Sequence, residues 1–318
     1  MKKLLSIVLL LMAASVARSQ YAPRAGQPGS TAIAQDSSAI LSWGISCQVN
    51  RGLLDVTQPD SGFASIGEAS FAVGKADAYI VSLGDGGSAT LTFDPPIVDG
   101  PGYDFAVFEN GFNINGDSDF LELAFVEVSS NGVDFFRFPA YCALDSSRQQ
   151  KTYDGAKAEY YHNLAGKYTA RYGTPFDLKE LDSIAVLDLM SITHVRIVDV
   201  IGTVIDSLAS RGADGQIIND PWPTLFPQGG FDLDAVGVIH NQHAPNGVSD
   251  LTRPTAIYPN PVKKGQSLNW NREAEWFLYS LDGKLMDTGY GTKLETQHMS
   301  TGIYLLRLNN SFQKVEIR

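Results

Sequence analysis

The chain has little of what enzymes most often use. Its 318 residues include two cysteines, Cys47 and Cys142, and five histidines scattered from His162 to His298. No His-Glu-x-x-His run is present, which speaks against a helix-borne zinc site. No Gly-x-Ser-x-Gly elbow is present either. Gly84-Asp-Gly-Gly87 lacks the Lys and the helix of a phosphate loop and reads as a turn. Positive charge is scarce: 24 Lys and Arg stand against 35 Asp and Glu, a net charge of −11 at pH 7. Phosphate backbones are held by clustered basic residues that release counterions, so nucleic acid is not expected as a partner. After the N-terminus no apolar run is long enough to cross a membrane as a helix.

What remains is an acidic chain with a core. Hydrophobic residues make up 44% of it and charged residues 19%, enough to bury an interior. Residues 1–19 read as a signal peptide. Lys2 and Lys3 precede an apolar run, Leu4–Ala14, and Ala17-Arg18-Ser19 places small residues for cleavage after Ser19. Residues 20–38, rich in Gly, Pro, Ser, Ala and Gln, read as a flexible leader or an extended first strand. Residues 39–241 form the large domain, 242–254 a polar linker and 255–318 a small second module.

The large domain reads as all-β. Short apolar runs such as Ala89–Phe93, Tyr103–Phe108, Leu121–Ser129, His194–Val200 and Phe231–Ile239 alternate with Gly, Asp, Asn and Pro clusters. Asn131-Gly132 between two apolar runs is a hairpin signal. One helical turn or two is expected after Asp177, a good N-cap. Spacing of this kind argues a sandwich or jelly roll. Residues 143–175 form a long Tyr-rich excursion, the sort of loop in which function sits.

Three blocks near the C-terminus carry a resemblance: Ile257–Val262, including Tyr258-Pro259-Asn260-Pro261; Leu278–Lys284; and Ser300–Leu308, including Gly302 and Tyr304. In order and spacing they resemble the type A sorting domain of type IX secretion cargo. The resemblance implies a small Ig-like sandwich, recognition by an outer-membrane translocon, and delivery to the outer cell surface. The two prolines stiffen the first block, which reads as a rigid hinge. In the large domain, Val107–Phe112, Phe125–Gly132, Tyr172–Leu178, Asp220–Pro223 and Gly229–Val236 resemble a bacterial family known only as cell surface proteins. The strand-turn-strand at Asn131-Gly132 and the Phe231–Asp234 strand are also similar to galactose-binding-like jelly rolls. In several of those a last-strand aspartate helps to hold structural calcium.

The candidate site residues follow. Asn113, Asn115, Asp117 and Asp119 alternate through a Gly-containing loop, with Glu122 just beyond, Glu109 before it, and Asp232 and Asp234 far along the chain. Such oxygens suit Ca2+. An EF-hand is ruled out because its twelfth position, counted from Asn113, is Ala124. Alternation puts Asp232, Asp234 and Val236 on one face of their strand and Phe231, Leu233 and Ala235 on the other, so the acids equally suit a plain wet face. Trp222, Tyr160, Tyr161 and Tyr172 are candidate stacking platforms. Arg196 suits either a ligand or an ion pair with Glu127 or Asp199. Cys47 and Cys142 suit a disulfide or two separate thiols. The reading that results is an exported surface protein binding a glycan or a small nutrient such as a corrinoid on a calcium-stabilised sandwich. The alternatives are a polysaccharide hydrolase and a structural or adhesive protein without a small ligand. No set of residues stands out as catalytic.

Overall fold

The computed structural model describes residues 21–224, 226–242, 257–281, 283–308 and 311–318. The expected signal peptide and all of the linker after Gln242 lie outside the described residues. The chain divides into two compact units, with the boundary between Ala244 and Pro245. It is all-β, with four short 3-10 turns among the described residues.

The strands of the first unit are β1 (Ile33–Ala34), β2 (Ser42–Trp43), β3 (Ser46–Asn50), β4 (Val81–Ser82), β5 (Ser88–Ile97), β6 (Phe105–Glu109), β7 (Phe112–Asn113) and β8 (Asp119–Phe120). They continue with β9 (Ala124–Ser129), β10 (Phe136–Arg137), β11 (Tyr141–Cys142), β12 (Tyr161–His162), β13 (Tyr172–Phe176), β14 (Ile192–Asp199) and β15 (Asp232–Val238). Two large antiparallel sheets result, with β7–β8 and β11–β12 as separate two-stranded pairs. One runs β1-β13-β6-β15-β2, with β4 also on β15; the other runs β10-β9-β14-β5-β3. Their facing sides form one core. Phe105, Val107, Phe176, Leu233, Val236 and Val238 meet Leu91, Phe93, Val126, Val128, Val195 and Ile197, all buried. This is a β-sandwich.

The alternation expected for the last strand breaks at Asp234. The β15–β6 register shifts between Leu233 and Ala235. A bulge of this kind reverses the facing of everything after it. Leu233 and Val236 therefore share the inter-sheet core, while Ala235 packs outward with Ala106 and Phe108. That outer face is not wet. Ile33, Ile40 and Trp43 cover it, with the Trp43 and Phe108 rings 5.4 Å apart. Residues 21–38 are accordingly no flexible leader. β1 pairs with β13, Thr31 is hydrogen-bonded to Tyr168, and Arg24 reaches Asp119.

The second unit has four strands, β16 (Ser267–Ser280), β17 (Leu285–Glu295), β18 (Gly302–Leu308) and β19 (Ser311–Ile317), in the order β17-β16-β18-β19. Six residues of straight strand would span about 20 Å. The Trp270 and Trp276 rings nevertheless lie 6.4 Å apart. The long hairpin therefore curls back on itself at the register shift between Asn269 and Ala274, closing over a core of Leu268, Leu278, Leu294, Leu306 and Val315. Tyr258-Pro-Asn-Pro261 is no free hinge. Tyr258 bridges Asn269, and the Asn260 side chain accepts from the Glu316 amide and donates to the Lys314 carbonyl. An Asn side chain offers both a donor and an acceptor, so it can pair an edge strand as a peptide would.

Candidate functional site

Antiparallel pairing sets the ends of four central strands together at one end of the sandwich. Glu109 closes β6 and Asp232 opens β15, where Leu233 faces Glu109. Asp199 closes β14 and faces Ala124, with Glu122 just upstream of that residue. Asp220 arrives on a loop and accepts from the Leu123 amide at 3.3 Å. All five carboxylates are buried.

Their partners are few. Asp199 is satisfied by the Phe231 amide at 2.7 Å and the Gly86 amide at 3.0 Å. Asp232 accepts from the Ser82 hydroxyl and from Asn110 Nδ2 at 2.9 Å. Glu109 Oε2 accepts from the Gly111 amide at 2.7 Å, while its Oε1 has no partner. Asp220 Oδ1 has none either. Glu122 is 4% exposed as a residue, and its carboxylate receives no hydrogen bond among the described residues. No ion pair reaches any of the five among the described residues. Arg51, which acts on Asp232 through space, donates instead to the carbonyls of Ile66, Gly67 and Ser82.

Two glycines make this crowding feasible. A Cβ at Gly111 would sit 2.9 Å from Glu109 Oε2. Gly230 has φ +74°, and a Cβ there would lie 2.8 Å from Asp199 Oδ1. The electrostatic result is uniform. Burial, then Asp232, pushes Glu109 well above the usual carboxylate range. Burial, then Asp232, Glu109, Asp220 and Asp199, does the same to Glu122. Burial raises Asp199 and Asp220 too, and lifts Asp232 to about 6 despite its hydrogen bonds.

A pocket of about 330 Å³ opens above part of this cluster. Its buried base includes Glu122 and Asp232 beside the amide of Asn110. Its rim is aromatic: Phe112 and Phe120, stacked at 5.1 Å across the β7–β8 pair, with Tyr153 and Phe226. Apolar rings on one side and a few convergent polar groups on the other are the usual make-up of a small-molecule site.

The structure divides the expected site residues. Glu109 and Asp232 fall in the cluster. Asp234 is buried beside it, accepting from the Asp77 and Ala78 amides, and is lifted to about 6 by burial. The Asn113–Asp119 loop is not brought to them as a set. Asp119 pairs with Arg24 at 2.6 Å and Asp117 with Lys157 at 2.8 Å. Asn113 spends its side chain on the Gly116 amide, the Ser118 carbonyl and Asp119. The expected platforms do not line the pocket. Trp222 donates to Asp85, Tyr161 is fully buried with Tyr160 edge-on to it, and Tyr172 belongs to β13. Arg196 is bound to Glu127 through Nε at 2.6 Å and Nη2, and lies over Phe135. Cys47 and Cys142 are free thiols. Cys47 packs on the inter-sheet core and Cys142 in a separate cluster, so no bridge joins them. Glu122 stands beside the Asn113–Asp119 loop in the sequence reading; Asp199 enters it only as a partner for Arg196, and Asp220 only within the Asp220–Pro223 block. The local signal at Glu122 and Asp199 is a lone acid inside an apolar run, Leu121-Glu122-Leu123 and Val198-Asp199-Val200.

A second acidic group lies at the other end of the β6–β15 ladder. Asp99, Asp104 and Asp177 bring one oxygen each within 4.8 Å of the others. Here Asp104, the buried member, is saturated. Its Oδ1 accepts from the Gly100 amide at 2.7 Å and meets His240 Nδ1 at 2.8 Å; its Oδ2 accepts from the Leu178 amide at 2.7 Å.

The tail's ordered blocks and curled sheet decide its assignment, since residues 256–318 match the model of the secretion system C-terminal sorting domain. The tail is a type IX sorting domain. Export by that machinery follows from it. The sorting domain includes both the Tyr258–Pro261 block and the Gly302–Leu308 strand. No curated protein matches the chain. Among the described residues no helix is long and apolar enough to cross a membrane.

Proposed function

We propose that this is a type IX-exported surface protein whose sandwich binds a saccharide in the aromatic-rimmed pocket. The carrying observation is the juxtaposition of the stacked Phe112 and Phe120 with Asn110, Asp232 and Glu122 in one opening. Sugar rings present C–H faces that stack on aromatic rings and hydroxyls that pair with carboxylates and amides. A volume of about 330 Å³ accommodates a sugar residue or two and is too small for a corrinoid macrocycle.

The test is a thermal-shift panel of glycans and corrinoids on the full chain. A binder raises Tm with concentration. A glycan that does so for the wild type, with at least a tenfold weaker effect for Phe112→Ala, supports the reading. Silence from every glycan transfers the weight to an adhesive or structural role. One observation favours a hydrolase as second reading: two carboxylates with raised affinity for protons, Glu122 and Asp232, line the same pocket. Incubating each shifting glycan with the protein and measuring new reducing ends decides it.

A further inference from the structure

We infer that the aromatic-rimmed pocket selects a ligand carrying a protonated amine, and that its saccharide is an amino sugar with the nitrogen left unacetylated. The sugar ring rests on the saccharide reading above. The amine rests on the charge and the hydrogen-bonding capacity of the pocket, so each can fail without the other.

The charge of the lining is one-sided. Glu122 and Asp232 stand in the base, and no Lys, Arg or His is among the described residues that line the opening. Arg51, which acts on Asp232 through space, has its guanidinium on the carbonyls of Ile66, Gly67 and Ser82. A uronic acid or a sulfated sugar would therefore meet like charge with no cation to hold it.

The hydrogen-bonding capacity of the base is one-sided as well. Glu122 is buried, and its carboxylate receives no hydrogen bond among the described residues. Asn110 commits Nδ2 to Asp232 at 2.9 Å, and its Oδ1 is left to accept. A floor of acceptors calls for donors. Sugar hydroxyls and an ammonium group both supply them, and the charge decides between the two. Burial holds Glu122 well above the usual carboxylate range, and repulsion from Asp232, Glu109, Asp220 and Asp199 pushes it further. A bound cation offsets that repulsion, which a neutral hydroxyl cannot do. Acetylation would turn the nitrogen into a neutral amide and bring one more acceptor oxygen to a floor of acceptors.

The rim suits both halves of such a ligand. The faces of Phe112, Phe120, Tyr153 and Phe226 are available at the opening. Aromatic faces attract an ammonium group within about 6 Å of the ring centre, and they also stack on the C–H side of a sugar ring.

The test is isothermal titration calorimetry on the full chain at about pH 6.5, where such amines are protonated. The probes are sugars matched at carbon 2: glucosamine, N-acetylglucosamine and glucose, with the same three forms of galactose and mannose. Cyclohexylamine serves as an amine without a sugar. The expected result is an amino sugar that binds about tenfold tighter or more than both its acetylated and its hydroxyl counterparts. Glu122→Gln should bring that ratio close to one; its carboxylate has no hydrogen bond to lose, and an unchanged Tm shows that the fold is intact. Phe226→Ala, at the half-exposed rim, should weaken the amino sugar about threefold and keeps the test open if Glu122→Gln fails to fold. Equal affinity for the three forms overturns the inference and leaves the saccharide reading standing. A preference for the amine that persists in Glu122→Gln overturns it too. Binding of cyclohexylamine with every sugar silent supports the amine site and removes the saccharide, and silence from all the probes overturns both.

Discussion

The β6–β15 ladder carries buried acid at both ends, and the two ends solve the problem differently. At one end Asp104 has a histidine and two backbone amides on its oxygens. At the other, Glu109 keeps one oxygen without a donor, and Glu122 and Asp220 stand beside it. The first arrangement needs nothing more and ties the 100 turn, the 178 turn and the end of β15 together. The second gains only when something positive, a metal ion or protons, arrives. Buried charge is therefore not itself a sign of function; its unpaired remainder is.

Four measurements break or sharpen that contrast. Asp104→Ala should cost about 3–5 kcal/mol in denaturant melts, because it strands His240 and two amides at once. Glu109→Gln, at the other end, should cost nothing in EDTA or even stabilise; a loss as large as that of Asp104→Ala would erase the distinction. The second measurement is stability against pH in EDTA. Asp232 and Asp234 are lifted from 3.8 to about 6, so the folded state holds their protons more tightly than the unfolded chain. Their contribution is full below about pH 4 and is lost as pH rises through about 6, a swing of roughly 3 kcal/mol for Asp232 alone. Acid-labile behaviour over that range would contradict it.

The third concerns the outer face of the five-stranded sheet. Arg196→Lys gives up the two-pronged contact with Glu127 and the stacking on Phe135, and should cost about 1 kcal/mol, since the side chain is partly screened by solvent. The glycan response should not move. The smallest effect is expected from Phe112→Ala on stability. Its side chain is half exposed, so Tm should change by only about a degree while the glycan response drops.

The sheets were legible because β-branched and aromatic alternation is local, and the sorting domain because its blocks are contiguous. The cluster was legible only in part. Glu109, Glu122 and Asp232 stood out as acids while Asp199 and Asp220 did not, and antiparallel pairing brings residues 109, 122, 199 and 232 to the one end that Asp220 reaches on its loop. The Asn113–Asp119 loop misled for the converse reason. Its acids look available in sequence, while their cations come from Arg24 and Lys157, 95 and 40 residues away. The Asp232–Asp234 alternation failed at a bulge that no local pattern announces. Of the tyrosines in the Tyr-rich excursion, Tyr161 and Tyr168 went into packing, while Tyr153 lines the pocket.

The stitching of the Tyr258–Pro261 block has a consequence in time. Asn260 is clasped by Lys314 and Glu316, and Val262 pairs with Ile317 in parallel. The opening words of the sorting domain are thus held by its closing ones. During synthesis the sandwich emerges complete before the tail begins, and the tail cannot close until the final strand has been made. A chain stopped before β19 would carry the whole sandwich and leave Asn260 and Val262 without these partners.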